Sequence, residues 1–427
     1  MNILQIIDPF SVCPQPFDGG EVSGLIHTED NRMIGEAMVR LNNLEVESMT
    51  NEVGEYAFSN VPYEGSYEVA PSKDDDHQNG ISTFDLLLMQ RHILGIERFD
   101  SPYQIIAADI NRSGRVDGVD IVELRKLVLG IYSEFPDNTS WRIIDEDHRF
   151  VDETNPFEGH IPENYIINSL LTDMEVNFIG VKVGDVSGDV IANIHDAKVD
   201  RRSADLGDVN VINKFVSANT QYHMDFVFSD VQTSGFQFTL DISSEMADLL
   251  EVIPHASGMS DANVHATLED GRQRIHFSWH NLAGLGLEPG EKAFSLKLNM
   301  RQDAWAEQIV KIDASGITPE CYTKAGTMKD LALNFVDQAS DAFMLYQNSP
   351  NPWRNSTDIQ FIMPEVSDYT FEIYGTNGVV ILSDKRQGTA GMNTYVLDKS
   401  ELSSGGIFYY SITANGQRLI EKMLHIK

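Results

Sequence analysis

The chain has 427 residues, with 65 Asp and Glu against 31 Lys and Arg, a formal net charge of −34 at pH 7. A charge of that sign and size repels phosphate backbones and anionic bilayers, which excludes nucleic-acid binding and electrostatic membrane adhesion as primary roles. Apolar residues make up 42%, enough to build several cores, while two cysteines (Cys13, Cys321) exclude a disulfide framework and a cysteine zinc site, and no run of apolar residues is long enough to span a membrane.

Residues 1–20 read as a linker or the remnant of a lost upstream region, with Pro14, Pro16 and the Gly19-Gly20 pair as breakers. The opening M-N-I-L-Q-I-I-D-P-F lacks a basic segment and its apolar run is short for a secretory signal. Together with the export motifs below, this leads to the expectation of an N-terminally incomplete piece of a longer protein.

Residues 21–72 alternate in short runs, E-V-S-G-L-I-H-T, A-M-V-R-L and G-E-Y-A-F-S-N-V-P, with turn signals between them, the pattern of a small β-sandwich. His27 stands alone on a strand and reads as structural. T-N-E-V-G-E-Y-A-F-S-N-V-P-Y-E-G-S-Y-E-V (Thr50 to Val69) resembles the carboxypeptidase regulatory-like and collagen-adhesin B-type repeats, which implies a stalk or spacer with no catalytic group.

Residues 73–200 hold the most informative stretch, D-I-N-R-S-G-R-V-D-G-V-D (Asp109 to Asp120). Oxygen-bearing side chains fall at loop positions 1, 3, 5, 9 and 12 (Asp109, Asn111, Ser113, Asp117, Asp120), Gly114 supplies the turn at position 6 and Arg115 a backbone carbonyl at position 7. Calcium takes six to eight oxygens, and a 12-residue loop so spaced wraps them around one ion. Ile121, Leu124, Leu127 and Val128 predict a helix directly after it, ended by Gly130. Upstream, Ser82 to Ile96 matches Asp117 to Ile131, with Asp85 on Asp120 and Gly95 on Gly130: one unit used twice. Counting back from Asp85 gives a first loop of Asp74, Asp76, Gln78, Gly80, Ser82 and Asp85. A third fragment, G-D-V-S-G-D, offers Asp185, Ser187, Asp189 and, at the position-12 distance, Asp196. Two loop–helix units ending in L-G-I resemble the type I dockerin family, which implies Ca2+-dependent folding and docking onto a cohesin-type protein partner. The acidic cluster Asp145, Glu146, Asp147 reads as a solvated loop.

Residues 201–210 are polar and read as a linker. Residues 211–338 alternate again, through G-F-Q-F-T-L-D-I, R-I-H-F-S-W-H and K-A-F-S-L-K-L-N-M, as in a sandwich or jelly roll. His276, Ser278 and His280 share one strand face, a spacing that does not converge on zinc. The order of these strands is similar to the cohesin-like family.

Residues 345–427 run from L-Y-Q-N-S-P-N-P-W through I-Q-F-I-M-P and Y-T-F-E-I-Y-G-T-N-G to E-K-M-L-H-I-K, with Asn377-Gly378 and Asn415-Gly416 as hairpin turns. This resembles the type A C-terminal sorting domain of the type IX secretion system, which implies that system's machinery as a partner and an extracellular or outer-membrane-surface location in a Gram-negative bacterium of Bacteroidetes type.

The expected fold is mainly β and multidomain: several β-sandwiches (prealbumin-like, cohesin-like jelly roll, Ig-like C-terminal domain) with one small α-helical EF-hand-like calcium module. No nucleophile with a base, metal triad or phosphate loop is legible. The expected role is non-catalytic: a calcium-binding stalk or docking region whose partner is a cohesin- or dockerin-type protein or an extracellular polysaccharide, or the accessory half of an extracellular polysaccharide-degrading enzyme.

Overall fold

The computed structural model describes residues 19–193, 202–228, 232–269, 271–281, 286–324, 326–337 and 343–426, and the statements below concern these. The fold is mainly β, arranged as three sandwich-like bodies with one small helical unit.

The first body is a two-sheet sandwich. One sheet runs in the order Glu55–Pro62, Gly19–His27, Phe178–Lys182, Trp141–Asp145, and the other Val46–Met49, Met38–Asn42, Tyr67–Ser72, Tyr165–Ile167. Val22, Ile26, Val39, Leu41, Tyr56 and Phe58 alternate inward as their spacing requires. Two of the four strands in the first order and three of the four in the second come early in the chain, but Trp141, Ile143, Ile167 and Phe178 complete the core. The boundary drawn after residue 72 therefore falls inside this fold, not between two modules. The pairing of Gly19–His27 with Phe178–Lys182 is parallel, and parallel neighbours require a long crossover. The helical unit is carried in that crossover.

Three helices make up the unit: α1 (Thr83–Ile93), α2 (Pro102–Ala108) and α3 (Gly118–Val128). Helices α1 and α3 start alike, each with a capping box, Ser82 with Asp85 and Asp117 with Asp120. They end alike, with Gly95 and Gly130 at φ +66° and +70°, a conformation only glycine adopts cheaply. Leu86, Met89, Leu124, Leu127 and Val128 pack with Ile106 of α2 and with Val181, Val183 and Val186 from the sandwich's last strand and the loop after it. The short α2, without a long apolar period of its own, was not legible in the sequence.

The second body is one strongly curled sheet of ten strands, whose rings Phe226, Phe236, Phe238, Phe277, Trp279 and Phe294 stack in its core. Residues 202–210, expected as a linker, belong to the strand Arg202–Asn213, which runs parallel to Met328–Asp337. Their polarity misled: Val209 and Val211 alternate inward, and backbone pairing carries the rest.

The third body, residues 343–426, is a sandwich of a three-stranded and a four-stranded sheet closed over Trp353, Phe361, Phe371, Tyr395 and Tyr410. Phe215, Trp305 and Tyr346 form a ring cluster with centroids 5.1 to 5.5 Å apart, joining it to the second body.

Candidate metal site and docking face

Helix α2 ends on Asp109 and α3 begins after Asp117, so the loop between them is anchored at both ends. Buried Asp109 accepts the amides of Ser113 at 2.8 Å and Gly114 at 2.9 Å, and Gly114 turns at φ +78°. Buried Asp120 accepts the amides of Asn111 at 3.2 Å and Asp117 at 2.8 Å. Burial raises the pKa of Asp120, and the carboxylates of Asp109 and Asp117 push the same way. Ser113 Oγ donates to the Arg115 carbonyl at 3.3 Å, and the Arg115 side chain pairs outward with Asp117 at 2.8 Å. Asp109, Asn111, Ser113, Arg115, Asp117 and Asp120 thus belong to one small loop whose donors are all hard oxygens, the set calcium prefers. Among the described residues no group of three or more His, Cys, Asp and Glu is arranged to hold a metal ion by itself, so an ion here draws on hydroxyl, amide and carbonyl oxygens as well.

The first acidic loop is built differently. Asp74 accepts the Ser140 amide at 2.8 Å and lies 3.1 Å from His77 Nε2. Asp75 pairs with Lys73 at 2.8 Å. Gln78 Nε2 donates to the Leu127 carbonyl at 3.2 Å. Asp74, Asp76 and Gln78 are not joined to Ser82 and Asp85. Lys182 is buried nearby, its Nζ donating to the His77 carbonyl at 3.2 Å. Burial lowers its pKa to about 8, against the opposing pull of Asp185, Asp76, Asp75 and Asp74. Asp85 instead meets the third fragment: the amides of Val186 and Ser187 donate to its Oδ1 at 3.0 and 2.9 Å. Asp196 lies outside the described residues.

A second feature was missed in the sequence. Helix α1 lies on the outer face of the second body, across strands Thr233–Ile242 and Arg272–His280. The Thr83 amide donates to Gln237 Oε1 at 2.6 Å, and the Thr83 and Ser278 hydroxyls are 2.7 Å apart. His280 Nε2 donates to Gln90 Oε1 at 2.7 Å. Phe84 packs on Tyr322 at 5.4 Å. Gln237, Thr239, Ser278 and His280 are all buried, so strand Thr233–Ile242 is covered on both faces. Burial pushes the His280 pKa down to about 3, with Arg125 of α3 adding to the effect. Of the strand face shared by residues 276, 278 and 280, Ser278 and His280 lie against helix α1. The face's alternation of small polar residues is what a solvated strand also shows.

The remaining candidates have bland surroundings. Glu146 lies 3.3 Å from His27 Nε2 at the sandwich rim, and His276 Nδ1 is 2.9 Å from the Thr239 hydroxyl.

Residues 73–129 match the family model of the dockerin type I domain. This dockerin-like segment covers α1, α2, the Asp109 loop and α3, and ends before Asp185. Type I dockerins generally bind calcium, in keeping with the oxygen set of the Asp109 loop. Similar solved structures include a type I cohesin–dockerin complex from Clostridium thermocellum (16% identity, 33% of this chain and 94% of that chain, TM-score 0.24). They also include the seventh ScaB type I cohesin from Pseudobacteroides cellulosolvens (15%, 31% and 88%, 0.24) and a type II cohesin domain from the cellulosome of Acetivibrio cellulolyticus (9%, 31% and 93%, 0.25). No curated protein matches the chain. No helix among the described residues is long and apolar enough to cross a membrane.

Proposed function

We propose that this chain is a non-catalytic docking and spacer region of an extracellular protein, in which the dockerin-like unit is held by a receptor face of its own chain. The observation that supports it best is the buried polar contact of Thr83 and Gln90 with Gln237, Ser278 and His280. Thr83, Gln90, Gln237, Ser278 and His280 Nε2 each find a partner across the contact, with His280 Nδ1 left unmatched, and such pairing is the pattern of an interface more than of a chance abutment. Calcium, held by Asp109, Asn111, Ser113, the Arg115 carbonyl, Asp117 and Asp120, would fix the start of α3 and so the helical pair. Ion binding to the folded state alone adds directly to its stability. In this reading the unit's natural partner is a cohesin-type sandwich, and residues 202–337 supply it in cis.

The C-terminal body is proposed as the export and sorting domain, read by the type IX machinery, on the strength of its motif order from Leu345 to Lys427. The first body is proposed as a stalk. Adhesion is the role this set of parts serves best.

The test uses the full chain with a protease site placed between residues 196 and 198. After cleavage in calcium the two pieces should co-elute on a sizing column and separate in chelator. Separation under both conditions would sink the docking reading, and co-elution under both would sink its calcium dependence. Deleting 345–427 should hold the protein in the periplasm of a host with a type IX system.

A further inference from the structure

The two acidic fragments that the sequence places far apart are two halves of one loop. Asp185 Oδ1 accepts the Asp189 amide at 3.2 Å and Asp185 Oδ2 the Val190 amide at 2.9 Å. Asp109 uses the same two amides, four and five residues on. Asp85 accepts the Ser187 amide at 2.9 Å and the Ser82 amide at 2.9 Å. Asp120 accepts the amides at the equivalent places, Asn111 and Asp117. The chain path explains the match. Residues 185–190 run as positions 1 to 6 and then leave. Residues 80–85 enter beside them as positions 7 to 12.

The crossing point is tightly made. Asn79 Oδ1 accepts the Ile191 amide at 3.1 Å, and Asn79 Nδ2 donates to the Ile191 carbonyl at 2.8 Å. Gly80 sits at φ +74°, and a Cβ there would lie 2.6 Å from Val190 Cα. Gly188 takes positive φ at position 4, as Arg112 does in the intact loop (+73° and +53°). Val186 and Ile110 both bury at position 2.

We infer that the ion implied by the dockerin-like segment has a second site in this chain, a discontinuous one made of Asp185, Ser187, Asp189, the Gly80 carbonyl, Ser82 and Asp85. The donors are again all oxygen, which fits calcium. Asp85 and Asp185 are both buried and both accept amides of the 185–190 stretch, so two carboxylates are held beside one short loop, where a divalent cation would offset their charge. The contiguous alternative, Asp74 to Gln78, already has cations beside its carboxylates, Lys73 paired with Asp75 and buried Lys182 close by. This inference rests on calcium binding at the Asp109 loop but extends beyond the family match, since Asp185 to Asp189 lie outside it. The consequence is mechanical: residues 185–190 follow the last strand of the first body, and Ser82 to Asp85 open the helix that docks on the second. An ion here links the two.

The test is calcium titration of the full chain by calorimetry, with circular dichroism to verify folding. The wild type should bind two ions. Asp185→Asn and Asp85→Asn should each remove one and the same ion, Asp120→Asn the other, and Asp74→Asn none. If the Asp85 variant does not fold, Asp189→Asn, at a partly exposed position, should still weaken one ion by tenfold or more. Loss of an ion in Asp74→Asn with full binding in Asp185→Asn would overturn the discontinuous site and leave the Asp109 loop standing. A wild type that binds no calcium would overturn both.

Discussion

The hydroxyls of Thr83 and Ser278 lie 2.7 Å apart, both fully buried, one at the start of a helix and the other on a strand of a different body. Neither has a chemical task visible nearby. Their contact is legible only as recognition of one surface by another, and it gives the docking reading a quantitative test. A buried hydroxyl that loses its partner costs roughly 1–3 kcal/mol, while a pair removed together costs much less. Thr83→Ala and Ser278→Ala should therefore each destabilise the chain, and the double variant should show a coupling of about 1 kcal/mol in denaturant unfolding. A coupling of zero would mean that the two surfaces are apart in solution.

The same face carries a pH dependence. Burial, with help from Arg125, holds the His280 imidazole neutral, its pKa near 3 against 6.5 for a free one. The folded chain therefore binds fewer protons here than the unfolded chain. The stabilisation is complete above about pH 6.5 and drains away as pH falls toward 3. Asp85 and Asp185, whose pKa values burial raises, act with the opposite sign when no ion is present, because the folded chain then holds protons that the unfolded chain releases. The informative quantity is thus a difference. Wild type minus His280→Gln, measured in chelator by thermal unfolding, should shrink steadily from pH 6.5 to pH 4.5. A constant difference would show that His280 titrates normally.

Much of this was open to reading from the sequence, and the reasons it stopped are specific. The Asp109 loop is contiguous, so its spacing alone displays its hydrogen-bond pattern. The helix after it follows from Leu124, Leu127 and Val128, and the alternating strands from Val22 to Phe58 follow from period two. The handover between Val190 and Gly80 left only fragments, because spacing arguments count along the chain and the loop does not. In the discontinuous loop proposed above, Asp85 keeps position 12 and takes its first half from Asp185 to Val190 instead of Asp74 to Asn79. The docking face failed for a different reason. Gln237, Thr239 and Ser278 alternate with Phe236, Phe238 and Phe277 as solvated residues would. Only the partner helix distinguishes a covered polar face from a wet one.

Calcium removal should be visible in stability before it is visible in function. An ion that binds only the folded chain adds about 2.7 kcal/mol when present at a hundred times its dissociation constant. Scanning calorimetry in millimolar calcium should give a higher melting temperature than in chelator. Asp109→Asn should remove part of that gain without altering the melting temperature in chelator by a similar amount. Equal melting temperatures with and without calcium would end the metal reading of the Asp109 loop.

The closure of the first body by late residues makes the sharpest structural prediction. Gly24 lies in the strand Gly19–His27 at the point where the Val176 carbonyl crosses it, and a Cβ on residue 24 would stand 1.8 Å from that oxygen. The neighbouring bonds fix the crossing: the Val176 amide donates to the Ser23 carbonyl at 2.8 Å, and the Tyr56 hydroxyl donates to the Val176 carbonyl at 2.6 Å. The two nearest atoms, the Val176 carbonyl oxygen and carbon, are backbone, and the third is the Tyr56 hydroxyl at 2.9 Å, so the backbone itself must move. Gly24→Ala should displace residues 174–176, unpair Val22 from Met174 and leave the Tyr56 hydroxyl without its acceptor. The combined cost of strain and a lost buried bond is expected at several kcal/mol. Hydrogen exchange should then rise over residues 174–182 as well as around residue 24. If the variant exchanges like the wild type over 174–182, the strands after the helical unit do not close this sandwich, and the parallel pairing of Ile26 with Phe178 is not the solution structure.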